Sequence, residues 1–316
     1  MNEQRRIRIG IVGAGAIGSF YGLQMARAGH DVHFLLRSNY ADIKANGLTL
    51  RSAELGDFHL ANPNVYQNPE DMPACDWLFL ASKTTANKTI GPVISQLAKP
   101  GSHVLILQNG LSVEDSLKGY LAPSVHVLGG LCIVSVHRGE PGVINHYGLG
   151  SVNIGYHSGP TGTREEARQV LDACAQLFKS ANLQAPICED LVQARWQKLV
   201  MNVPFNGLSV VLGSGTQPMM QSPSTRALIR ELMQEVCDAA AACGHPLPDD
   251  YLDQAWSATD GKPDYQPSMA LDYQNGRPLE LDAIYAAPLA AAARVNFPMP
   301  KVNTLYRLLK FLDERA

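Results

Sequence analysis

The sequence predicts an α/β first part and an all-helical second part, and three observations carry that reading. Residues 7–37 read as strand, glycine turn, helix and second strand. Short apolar runs then alternate with helical stretches as far as about residue 188. From Glu189 onward the strand-like runs cease, and apolar residues recur only at helical spacing. At 316 residues the chain is too long for one ordinary core, so two domains are expected, 1–188 and 189–316.

The opening unit is the most informative stretch. Ile7–Val12 is an apolar run too short for a membrane, and Gly13, Gly15 and Gly18 follow it in the spacing G-x-G-x-x-G. Gly13 permits a tight turn out of the strand, Gly15 leaves room for a pyrophosphate, and Gly18 lets the helix lie close to the sheet. That helix opens at about Ala16, so the backbone N–H groups of Ala16 and Ile17 point at the phosphates from its positive end. The first domain is therefore Rossmann-like and its ligand a dinucleotide. At the end of the second strand, where NAD sites usually place Asp or Glu, the chain has Leu36 and Arg37. A guanidinium there suits a 2′-phosphate, which favours NADPH/NADP; the alternative is a solvated loop charge.

Residues 41–68 suggest a helical turn and short strands at the edge of the sheet. Asp76–Ala81 is a buried strand ending in Ser82-Lys83-Thr84, a helix runs to Ala98, and Lys99-Pro100-Gly101 stops it. His103–Leu107 is the next strand and ends in Gln108-Asn109-Gly110. Ligands of open α/β sheets bind outside the carboxyl ends of the strands, where Gly13, Arg37, Lys83 and Asn109 all fall. For Lys83 an ordinary surface lysine is an equal alternative. Residues 125–156 read as short antiparallel strands, 163–181 as a helix and 183–187 as a last strand. Helical spacing then runs through 191–203, 228–236, 283–293 and 302–311.

Composition narrows the function classes. Hydrophobic residues at 46% and charged residues at 17% describe a globular protein, and a net charge of −3 supplies no basic surplus for nucleic acid. No run approaches the length of a membrane helix and the N-terminus carries no secretory signal, so a cytoplasmic protein without membrane partners is expected. The six cysteines form no C-x-x-C and read as buried and reduced. The nine histidines show no H-E-x-x-H, which leaves a metal mechanism unsupported.

Chemistry concentrates on the first helix of the second part. Lys198, Asn202 and Asn206 are four residues apart, so they share one stripe, near a kink expected at Pro204. A lysine and two amides among apolar residues make a wall for a small polar substrate, or else a solvated helix side. Together with G-A-G-A-I-G, Gln108-Asn109-Gly110, Pro267-Ser268-Met269 and Gly276–Asp282, this helix resembles the ketopantoate reductase (2-dehydropantoate 2-reductase) family almost end to end.

The resemblance implies an NADPH-dependent reductase of a small 2-oxo acid, ketopantoate first. It further implies Lys198 as general acid, Glu280 helping to hold the substrate, and Asn109, Asn202, Asn206 and Ser268 binding its carboxylate and hydroxyl groups. The residue types suit ketone reduction, since the oxygen that gains charge needs a proton that Lys198 can donate if desolvation brings its pKa below about 10.4. An ion pair with Arg277 is the alternative role for Glu280. Tyr265, Thr216 and Tyr285 depart from the family pattern on what is expected to be the substrate side. Rival readings are an NADP-linked dehydrogenase of another keto or hydroxy acid, and a non-catalytic NADP(H)-binding sensor. A homodimer is possible, though no residue specifies one.

Overall fold

A computed structural model of the chain describes residues 7–315. Two compact units emerge. One runs to Gln108 and resumes over Glu114–Leu191; the other joins Asn109–Val113 to everything from Val192.

In the first unit, β1 (Arg8–Val12) leads into α1 (Ala16–Arg27) and β2 (Asp31–Leu35). There follow α2 (Tyr40–Asn46), β3 (Leu48–Ser52), β4 (Phe58–Leu60), β5 (Asn64–Tyr66), β6 (Trp77–Leu80), α3 (Asn87–Leu97), β7 (His103–Ile106) and α4 (Asp115–Lys118). Two long strands, β8 (His126–Arg138) and β9 (Val143–Ser158), precede α5 (Arg164–Ser180). Among the described residues nine strands form one sheet in the order β4-β3-β9-β8-β7-β6-β1-β2-β5. Six neighbours, from β8 through β5, run parallel. Their continuous apolar runs suit a sheet covered on both faces, as in β6, where all four residues are buried. Phe20, Tyr21, Phe34, Phe79 and Phe178 fill the core beneath, with the Phe79 and Phe178 rings stacked at 5.6 Å.

Sequence and structure part company in three places here. Residues 125–156 are two long antiparallel strands, not several short ones; β-bulges interrupt the pairing, and glycines that look like breakers lie inside it. Gly129 and Gly155 leave the room that Leu191 occupies. Residues 183–187 form no strand. Ile187 makes only an isolated bridge to Ile154, because Pro186 has no N–H to continue a ladder. Finally, Cys75, Cys132 and Cys174 are buried, while Cys188, Cys237 and Cys243 are half-buried; all six are free thiols. Burial pushes the Cys75 thiol up to about 12, so it stays protonated near neutrality.

Helix α5 starts where its sequence dictates. Thr163 accepts from the Glu166 N–H and the Glu166 carboxylate accepts from the Thr163 N–H, a reciprocal cap that satisfies two orphan donors.

The second unit is helical: α6 (Leu191–Leu212), α7 (Thr216–Gln221), α8 (Pro223–Ala242), α9 (Tyr251–Ser257), α10 (Ser268–Gln274), a π-helical turn over Asp282–Ala286, α11 (Ala287–Arg294) and α12 (Pro300–Asp313). Its core gathers Trp196, Val200, Val203, Ile229, Met233, Tyr285, Val302 and Leu309. Glu235 is buried, yet its carboxylate accepts from the N–H groups of Lys301 at 3.1 Å and Val302 at 2.7 Å, at the positive end of α12. The five residues Asn109–Val113 join this unit and not the one expected from their place after a strand. Gly110, at φ +115°, turns the chain, and the Leu111 N–H then donates to the Ala283 carbonyl at 2.9 Å. Among the described residues no helix is long and apolar enough to cross a membrane.

Candidate active site

The glycine turn sits where strand order reverses: β1 lies between β2, which follows it, and β6, reached by crossing back. Such a switch point leaves a crevice at the carboxyl ends of the strands. Each glycine meets a separate requirement. A Cβ on Gly13, at φ +93°, would stand 2.3 Å from the Ser82 backbone nitrogen in the loop after β6. One on Gly18 would stand 2.3 Å from the Gly13 carbonyl oxygen, so this glycine lets α1 press on the turn. Around Gly15, by contrast, a Cβ would meet nothing within 4 Å. Gly15 is also the N-cap of α1 and no side chain caps it, so the N–H groups at Ala16 and Ile17 begin the helix facing open space. A turn closed beneath and open above fits a pyrophosphate.

Because β7, β6, β1 and β2 are parallel neighbours, the residues following them share one rim. Gly13 follows β1 directly, Arg37 is exposed just past β2, and Lys83 is exposed in the loop after β6. Asn109 continues from β7 but belongs with the helical unit. A pair of buried amides, unremarked in the sequence because they lie far apart along it, braces this rim. Gln108 donates through Nε2 to the Asn87 Oδ1 at 2.7 Å and to the Ser82 carbonyl at 2.9 Å. Asn87 donates back to Gln108 at 3.2 Å and to the Ser116 hydroxyl at 2.9 Å. Buried polar groups satisfied on both sides rigidify their surroundings, here the Lys83 loop and the approach to Asn109.

In the helical unit, α6 carries Lys198, Asn202 and Asn206 on one stripe, since the helix runs through all three despite Pro204. Lys198 and Asn202 are half-buried and Asn206 is buried. This is not a solvated helix side. The Asn202 Nδ2 is shielded from solvent and has no hydrogen-bond partner among the described residues. A buried amide donor left so costs about 1–3 kcal/mol and is available to an incoming acceptor.

Glu280 is buried two residues before the π-helical turn begins at Asp282. Arg277, its alternative partner, is turned to Asp272 instead, Nε to Oδ1 at 2.9 Å. Ser268 opens α10 and is half-buried.

Of the three departures from the family pattern, Tyr265 and Thr216 are mated to each other. The Thr216 N–H donates to the Tyr265 carbonyl, and the Tyr265 N–H to the Thr216 hydroxyl, each at 3.0 Å. Tyr285, the third departure, is wholly buried in the core of its unit. Its hydroxyl donates to the Val203 carbonyl at 2.9 Å, in a gap left by Gly207. Among the described residues no group of three or more potential metal ligands converges.

A glycine turn at the switch point of a doubly wound sheet, followed by a helical unit, defines a class: dinucleotide-binding α/β proteins with a helical second part. Family models described as Ketopantoate reductase PanE/ApbA and Ketopantoate reductase PanE/ApbA C terminal match residues 9–159 and 190–313. A 2-dehydropantoate 2-reductase of Nostoc sp. is 38% identical over 318 residues, covering 100% of this chain and 97% of the relative. The crystal structure of a 2-dehydropantoate 2-reductase from Geobacter metallireducens has a TM-score of 0.90 at 38% identity, over 96% of this chain and 99% of that one. At 21% identity a D-mandelate dehydrogenase solved with NADH and anilino(oxo)acetate shares the fold, with a TM-score of 0.87 over 98% and 99% of the two chains. The chain belongs to the ketopantoate reductase family and is an oxidoreductase acting on CH–OH groups.

Proposed function

We propose that this chain is an NADPH-dependent reductase of a small 2-oxo acid, with ketopantoate, reduced to pantoate, as its first substrate. The observation that carries the reading is the α6 stripe, where Lys198 and Asn206 flank an amide whose Nδ2 is buried without a partner among the described residues. The names of the relatives support the substrate, and the residue types suit the chemistry.

Gly13, Gly15 and Gly18, with the N–H groups of Ala16 and Ile17, would hold the pyrophosphate, while Arg37 pairs with the 2′-phosphate and Lys83 and Asn109 complete the rim. The cofactor, when bound, supplies the hydride. Lys198 donates a proton to the ketone oxygen as charge builds there, and its ammonium stabilises the developing alkoxide. Asn109, Asn202, Asn206 and the Ser268 hydroxyl donate to the substrate carboxylate and hold its hydroxyl group, which fixes the carbonyl against the proton donor. Glu280 orients the substrate hydroxyl and balances the charge of Lys198.

A second reading keeps the chemistry and changes the acid. It is favoured by Tyr265 and Thr216, which stand where many family members carry asparagines. Initial rates of NADPH oxidation across a panel of 2-oxo acids separate the two. Ketopantoate should give the highest kcat/KM; its failure beside clear turnover of another acid would transfer the assignment to that acid.

A further inference from the structure

Three segments to which the proposed function assigns substrate contacts meet at the π-helical turn Asp282–Ala286 in the helical unit. The turn exists because the Ala287 N–H reaches back to the Asp282 carbonyl, one residue further than an α-helix would. The Ala283 carbonyl is thereby passed over, and Pro288, next in line to serve it, has no N–H. The Leu111 N–H takes that acceptor at 2.9 Å. Gly110 must lie flat on the turn for this, since a Cβ there would stand 2.4 Å from the Ala283 Cβ. The segment that begins with Asn109 is thus seated on the turn that follows Glu280.

Helix α6 is held by the same turn from its other side. Tyr285 sends its hydroxyl to the Val203 carbonyl at 2.9 Å, between Asn202 and Asn206. Pro204 has already removed one backbone bond from this stretch of α6, so an outside donor here fixes a turn that is weaker than its neighbours. Gly207 provides the slot, as a Cβ there would stand 2.5 Å from the Tyr285 oxygen. Burial holds the phenol protonated as a donor at every working pH.

We propose that Tyr285 is a positioning residue: through its hydroxyl bond to Val203 it sets Lys198, Asn202 and Asn206 in register with Glu280 and the Asn109 segment. This rests on the substrate-side roles given under the proposed function. Rare helical forms persist where the surroundings over-determine them, and here both faces of the π-helical turn are committed.

Tyr285→Phe removes the hydroxyl and nothing else. Tyr21→Phe is its control, because Tyr21 is equally buried and donates to the Ser151 carbonyl at 3.1 Å in the other unit. Both variants lose one buried tyrosine bond, so both should lower the Tm by a similar small amount. Tyr285→Phe should also lower kcat/KM for the 2-oxo acid by about tenfold or more, with the dissociation constant for NADPH unchanged, because a misplaced contact set loses rate steeply. Tyr21→Phe should leave both kinetic constants intact. Equal kinetics for the two variants would overturn the positioning role while leaving the parent reaction standing. Absence of 2-oxo acid turnover in the parent enzyme would overturn both, since nothing would then need positioning.

Discussion

Replacing Asn202 with leucine should make the unliganded protein more stable and a worse enzyme. The side chains are nearly isosteric, so the change exchanges an amide for apolar surface at constant volume. In the structure the amide Nδ2 is shielded from solvent without a partner among the described residues. Removing it relieves about 1–3 kcal/mol of unmet hydrogen bonding. At about 2–4 °C per kcal/mol for domains of this order, the Tm should rise by about 2 °C or more. The same amide is assigned to the substrate carboxylate, and a hydrogen bond to a charged group contributes about 1.5–3 kcal/mol, or roughly tenfold to a hundredfold in kcat/KM. Thermal unfolding without ligand and steady-state kinetics on the same preparation read both quantities. A lower Tm with unchanged kcat/KM would refute the reasoning, because the amide would then be satisfied in the fold and idle toward substrate.

Further outcomes follow from other parts of the molecule. Arg37→Ala should raise the KM for NADPH by roughly tenfold to a hundredfold and leave that for NADH alone, as lost pairing with a phosphate requires; equal losses would mean that the charge does not read the 2′-phosphate. His103 and His126 stack at 4.8 Å, and His103 also stacks on Trp77 at 4.3 Å. Desolvation holds both imidazoles below their ordinary pKa of 6.5. The unfolded chain therefore binds more protons than the folded one below that value, so stability is full above it and declines as pH falls below about 6.5. His103→Phe, which keeps the stack, should flatten this decline, and a Tm that rises on acidification would contradict the sign.

Much of the first unit was legible because its signals are local. The turn at Gly13, Gly15 and Gly18 reports conformations that those residues alone satisfy, and the runs at 77–80 and 103–106 are too apolar for anything but buried strands. The α6 stripe was legible for the same reason, as spacing on a helix needs no tertiary knowledge. What stayed hidden depends on distant partners. Nothing near Tyr285 announces that its hydroxyl meets Val203, or that Gly207 makes room for it, so it read only as a departure from the family pattern. Asn87 and Gln108 find each other only when β6 and β7 align. The long hairpin of β8 and β9 was obscured by glycines that ordinarily break strands, among them Gly129 and Gly155, which here lie against Leu191.

The account turns on Lys198 as the group that gives its proton to the reduced oxygen. Its most direct test is the turnover of Lys198→Ala with NADPH and ketopantoate, beside a titration of NADPH binding to the same variant. A fall in kcat of roughly a hundredfold or more with the binding constant unchanged is the result expected of lost acid catalysis. Turnover at the parent rate would contradict it and remove the lysine from the reaction.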